Sequence, residues 1–127
     1  MNKEDFVTFE QAKLLKDLGF DGFNEWECDY WYYFPFNNHN KPIFEYCETT
    51  DYYEVDKCWY APTLAMAQKW LREVKGVDVI VLKYANDYVY TVYFKDKVVN
   101  GDLCETYEQA LLMGISEVLK IFKRRMR

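Results

Sequence analysis

The feature that most constrains this chain is a helix opening that occurs three times: Thr8-Phe9-Glu10-Gln11-Ala12, Thr63-Leu64-Ala65-Met66-Ala67 and Thr106-Tyr107-Glu108-Gln109-Ala110. In each, a threonine hydroxyl stands where it can accept from the unpaired N–H groups of a first helical turn. An apolar residue comes next, and an alanine follows four residues after the cap, small enough for close approach to a neighbour. Gln11 and Gln109 add the second half of a capping box, in which the N3 side chain accepts from the cap's own N–H. Helices are therefore expected over 8–19, 63–76 and 106–123.

Their faces follow from spacing. Leu14, Leu15 and Leu18 give the first helix an apolar side, and Gly19 suits the left-handed conformation that ends helices. In the second, Leu64, Ala67, Trp70, Leu71 and Val74 recur at intervals of three and four, with Gln68, Lys69, Arg72 and Glu73 outside and Gly76 as the stop. The third carries Tyr107, Leu111, Gly114, Ile115, Val118 and Phe122 on one stripe. A glycine inside a helix costs about 1 kcal/mol relative to alanine, so Gly114 is expected where the helix lies close to a ring or backbone.

Residues 77–84 and 88–95 read as strands joined by the polar Ala85-Asn86-Asp87, a hairpin over 77–95, with a weaker third strand at 97–100 before Gly101-Asp102. The earlier half repeats this succession less regularly in a hairpin region at 28–56, with strands at 30–36, 42–47 and 52–55. Helices that follow hairpins, rather than alternating with single strands, point to the α+β class: an antiparallel sheet of hairpins with three helices packed on one face. One domain is expected over 1–127, and its two ββ(β)α successions are consistent with internal duplication. A doubly wound α/β fold fits this order less well.

Residues 21–60 hold fourteen aromatic side chains and nine acidic ones against two lysines, a local charge of −7 within a total of −5. Strand alternation divides the run Tyr30-Trp31-Tyr32-Tyr33-Phe34-Pro35-Phe36, placing Tyr30, Tyr32, Phe34 and Phe36 on one face and Trp31, Tyr33 and Pro35 on the other. With helices on one side only, the second set is expected to stay uncovered and to form a contact surface. Trp31, Tyr33, Tyr52 and Trp59 are the candidate binding residues. Stacking on single-stranded nucleic acid needs a basic groove beside such rings, and the acidic frame argues against it.

The same acids allow two further readings. They could imitate a phosphate surface, as an acidic DNA mimic does. A pair of them could act as general acid and base in a small hydrolase or transferase with an aromatic cleft, although no spacing singles out a pair among the nine. His39 with Cys28 or Cys47 formally supplies a base and nucleophile, but Asn-Asn-His-Asn-Lys-Pro reads as a loop. At the other end, Lys120, Lys123, Arg124, Arg125 and Arg127 form a basic patch, well placed for a helix C-terminus and able to contact phosphate or a partner.

Cys28, Cys47, Cys58 and Cys104 are separated by 18, 10 and 45 residues, which is poor spacing for zinc, and no metal or cofactor is expected. The chain opens Met1-Asn2-Lys3-Glu4-Asp5 and continues into an amphipathic segment, and no stretch approaches the ~20 apolar residues that span a bilayer. Reduced thiols in the cytoplasm, without membrane association, are the expectation.

The stretch Tyr60-Ala61-Pro62-Thr63-Leu64-Ala65-Met66-Ala67-Gln68-Lys69-Trp70-Leu71-Arg72-Glu73, the later Glu105-Thr106-Tyr107-Glu108-Gln109-Ala110-Leu111 and the opening Phe6-Val7-Thr8-Phe9-Glu10-Gln11-Ala12-Lys13-Leu14-Leu15 resemble a group of small uncharacterised proteins encoded in prophages and mobile elements of gut anaerobic bacteria. The resemblance covers about two thirds of the chain and leaves out residues 21–59. It implies a cytoplasmic, mobile-element context and no catalytic residue. Taken with the aromatic segment, the expectation is a non-enzymatic interaction protein that presents an aromatic, acidic face to a protein partner or a second copy of itself.

Overall fold

A computed structural model describes residues 3–20, 31–34, 42–46 and 58–125. A short 3-10 turn, Lys3–Asp5, leads into helix α1 (Phe9–Asp17), strands β1 (Trp31–Phe34), β2 (Ile43–Tyr46) and β3 (Trp59–Tyr60), and helix α2 (Leu64–Lys75). Strands β4 (Val77–Tyr84), β5 (Asp87–Phe94) and β6 (Lys97–Asn100) follow, then helix α3 (Tyr107–Arg125). Every described strand pair is antiparallel, and the fold is α+β.

The helices begin where the threonines stand. The Gln11 N–H donates to Thr8 Oγ1 at 3.1 Å and the Thr8 N–H to Gln11 Oε1 at 3.0 Å, completing a capping box. Thr63 accepts from the Met66 N–H and Thr106 from the Gln109 N–H, each at 3.1 Å. Each such cap contributes about 1 kcal/mol. Gly76 ends α2 in the left-handed region, with φ of 70°.

The strands divide between two sheets rather than forming one, with orders β2-β1-β3 and β4-β5-β6. Three strands and then a helix do occur twice, but β3 returns beside β1 whereas β6 continues beside β5. The two units thus share an order of elements and differ in pairing.

The helices are what join the sheets. Helix α1 packs on β3 and on α3, while α2 and α3 pack on β4. Leu15, Leu71, Ile115 and Leu119 are fully buried in one hydrophobic cluster drawn from both sheets and all three helices. The ring of Phe20, just beyond α1, meets Trp70 of α2 edge-on at 5.4 Å. Gly114 lets α3 sit down on the second sheet: a Cβ there would lie 2.6 Å from Val79 Cγ1 and 3.1 Å from Tyr90 Cβ, the close approach its place in the stripe implies.

Candidate functional site

The aromatic strand β1 is covered on both faces, which corrects the expectation of an open face at Trp31 and Tyr33. Tyr33 is 3% exposed, and so is Tyr32 on the opposite side. The cover on the Tyr33 side comes from the chain's start. The Val7 N–H donates to the Pro62 carbonyl at 3.1 Å, and the Val7 carbonyl accepts from the Tyr33 hydroxyl at 2.8 Å. This strap lays Phe6 and Phe9 over the rings: Phe6 lies 5.6 Å from Trp31 and 5.2 Å from Phe44, and Phe9 lies 5.6 Å from Tyr33 and 5.2 Å from Trp59.

Trp31 itself is half-buried and stacks on Phe44, with centroids 4.7 Å apart and planes 15° apart. Trp59 is half-buried beneath Lys16, whose ammonium lies 5.7 Å from the ring centroid and donates to the Cys58 carbonyl at 3.0 Å. Ring pairs of this kind contribute about 0.5–1.5 kcal/mol each beyond their buried area. Trp31, Tyr33 and Trp59 thus come together as one internal aromatic cluster. Burial pushes the Tyr33 phenol above its ordinary pKa. Tyr52 and Arg127 lie outside the described residues, as do His39, Cys28, Cys47 and eight of the nine acids that frame the rings.

An uncovered apolar face does occur, on the second sheet. There the inner face carries Val77, Val79, Tyr90, Val92 and Phe94, all buried beneath the helices. The outer face carries Ile80, Leu82 and Tyr84 of β4, Val89 and Tyr93 of β5, and Val98 of β6, among which Leu82 is 53%, Val98 56% and Tyr84 65% exposed. Thr91 lies among them and donates to Asn100 Oδ1 at 2.9 Å, so that the polar cross-strand pair at this point is internally satisfied. The charges on this face are Asp78 and Asp87, near its two ends. The signal was present in the sequence: Val77-Asp78-Val79-Ile80-Val81-Leu82 is apolar almost throughout rather than alternating, as in strands that are covered on both faces.

The basic patch sits at the end of α3, where Lys120, Lys123, Arg124 and Arg125 are exposed. Arg125 turns back onto the sheet, its guanidinium carbon 4.7 Å from the Phe94 ring centroid. Among the described residues no group of three or more His, Cys, Asp or Glu side chains is placed to hold a metal ion, and no helix is long and apolar enough to cross a membrane. Cys104 is a free thiol whose pKa is raised by burial and by Asp102 and Asp87, which keeps it in the weakly nucleophilic protonated form at neutral pH. In comparisons with known proteins the chain matches no family model, no curated protein and no solved structure.

Proposed function

We propose that this is a non-enzymatic interaction protein that associates with a second copy of itself through the outer face of the β4-β5-β6 sheet. The observation that carries this reading is the open apolar face of Ile80, Leu82, Tyr84, Val89, Tyr93 and Val98. Contiguous apolar surface of this kind marks an interaction site in soluble proteins. Its chemistry favours a like face over a charged partner: no cation of the described residues lies on it, and the two carboxylates are near its ends, where they stay solvated in a sheet-on-sheet packing. A phage or mobile-element origin and a cytoplasmic setting belong to this reading through the sequence resemblance alone. The carboxylate-enzyme alternative gains nothing, because the rings that would line its cleft pack against one another.

Sedimentation equilibrium across the micromolar range tests the proposal. The wild-type chain is expected to dimerise, and the double variant Leu82→Asp, Val98→Asp to be monomeric, since like carboxylates buried against their own copies cost several kcal/mol. Because these side chains are exposed in the single chain, the variant should keep its helical circular dichroism. Added salt should strengthen the dimer by screening two copies that each carry −5. A wild-type chain that stays monomeric throughout would sink the proposal.

A further inference from the structure

Helix α3 packs on β4 and β5, and β6 lies beyond it at the edge of the sheet. The register sets Val99 of β6 opposite Val92 and Lys97 opposite Phe94, so these two β6 side chains belong to the inner face yet lie beside the helix. The result is a groove of about 310 Å³ between β6 and the C-terminal half of α3. Its floor and wall are apolar: Val92, Phe94 and Val99 from the sheet and Ile121 from the helix.

Charge is distributed unevenly along it. Glu117, Ile121, Arg124 and Arg125 fall on one stripe of α3, and at 1.5 Å per residue the arginines stand roughly 10–12 Å along the axis from Glu117. Lys97 joins the arginines in lining the groove. None of these three cations has an ion-pair partner among the described residues. The groove therefore has an apolar middle, with Lys97, Arg124 and Arg125 outside any ion pair of the described residues towards one end, Arg125 packed on the Phe94 ring, and Glu117 towards the other.

We infer that this groove binds a small amphiphilic carboxylate, with its apolar body on Val99 and Ile121, above the buried Val92 and Phe94, and its anionic head at Arg124, Arg125 and Lys97. Guanidinium groups suit a carboxylate because they can donate two parallel N–H bonds to it. The groove's size is at the small end of ligand sites, about 300–1,000 Å³, and fits a medium-length chain or single ring rather than a polymer. The site lies on the helix side of the sheet, away from the proposed dimer face, so neither proposal depends on the other.

Titration of the full chain with octanoate, followed by amide chemical shifts and calorimetry, tests the assignment, with octanamide and inorganic phosphate as companion probes. Octanoate is expected to bind with shifts centred on β6 and the last turns of α3, and to bind at least about tenfold more tightly than either companion. The double variant Arg124→Gln, Arg125→Gln should lose about tenfold or more in octanoate affinity while melting as the wild type does. Val99→Asp should abolish binding by placing a carboxylate in the floor. Equal binding of octanamide would overturn the role of the cations, and equal binding of phosphate that of the apolar floor. Shifts centred elsewhere, an unaffected arginine variant, or an oligonucleotide that displaces octanoate from the same residues would each overturn the assignment.

Discussion

Tyr90 lies between two glycines that have no room for anything larger. A Cβ on Gly101 would run into the Tyr90 ring, and one on Gly114 would press on Val79 and on the Tyr90 Cβ. At an open helical position, glycine to alanine would stabilise by about 1 kcal/mol. At Gly114 the obstructing Val79 is itself buried and part of a strand, so overpacking at about 1–3 kcal/mol outweighs that gain. Gly114→Ala is expected to lower the melting temperature by several degrees, measured by calorimetry. An unchanged or raised melting temperature would mean that α3 can lift off the sheet at no cost. This contact was legible in the sequence, because a glycine within an otherwise apolar stripe gives up helix stability for no gain unless a neighbour has to come close.

Between elements, Gln11 shows where local signals stop. Its capping role follows from its place three residues after Thr8, but its amide also donates across the core to the Leu112 carbonyl at 2.9 Å and to Ser116 Oγ at 2.7 Å, tying α1 to α3. Gln109 occupies the same place in its own helix and is exposed. Gln11→Ala removes the side-chain half of the box and both bonds to α3, a loss of about 2–4 kcal/mol, whereas Gln109→Ala should cost under about 1 kcal/mol. Urea unfolding of the two variants distinguishes them, and equal losses would show that the cross-core bonds contribute nothing. The same limit explains β1. Alternation correctly separates Tyr32 from Tyr33, but the cover over Tyr33 comes from Phe6, Val7 and Phe9, more than twenty residues upstream, and no local pattern records that pairing. The strands of the second hairpin were legible to within a residue, but the turn read as Ala85-Asn86-Asp87 is the two-residue Ala85-Asn86, with Asp87 paired to Tyr84, and this shorter turn sets the register.

For the whole molecule, the question is whether two sheets make one cooperative unit. Nothing in the order of strands distinguishes one six-stranded sheet from two three-stranded ones, since that choice lies in contacts far apart in sequence. The continuous cluster running through all three helices predicts a single unfolding transition. Tyr33 and Tyr90 provide a probe in each sheet. Burial raises both phenols above the ordinary value of 10.0, and Glu117, Asp102 and Cys104 add to the rise at Tyr90. Above that value an unfolded tyrosine gives up its proton while the folded one keeps it, so the unfolded state binds fewer protons and stability falls as pH rises. Below it the contribution is fully present. Tyr33→Phe and Tyr90→Phe should therefore each make the alkaline loss of stability shallower. At neutral pH Tyr33→Phe should also cost about 0.5–1.5 kcal/mol for its bond to Val7. If the molecule is one unit, each substitution shifts the same alkaline transition, whether it is followed by near-ultraviolet absorbance of tyrosine or by helical circular dichroism. Two transitions, one moved only by Tyr33→Phe and the other only by Tyr90→Phe, would mean that the sheets unfold independently and that the helices between them do not transmit stability.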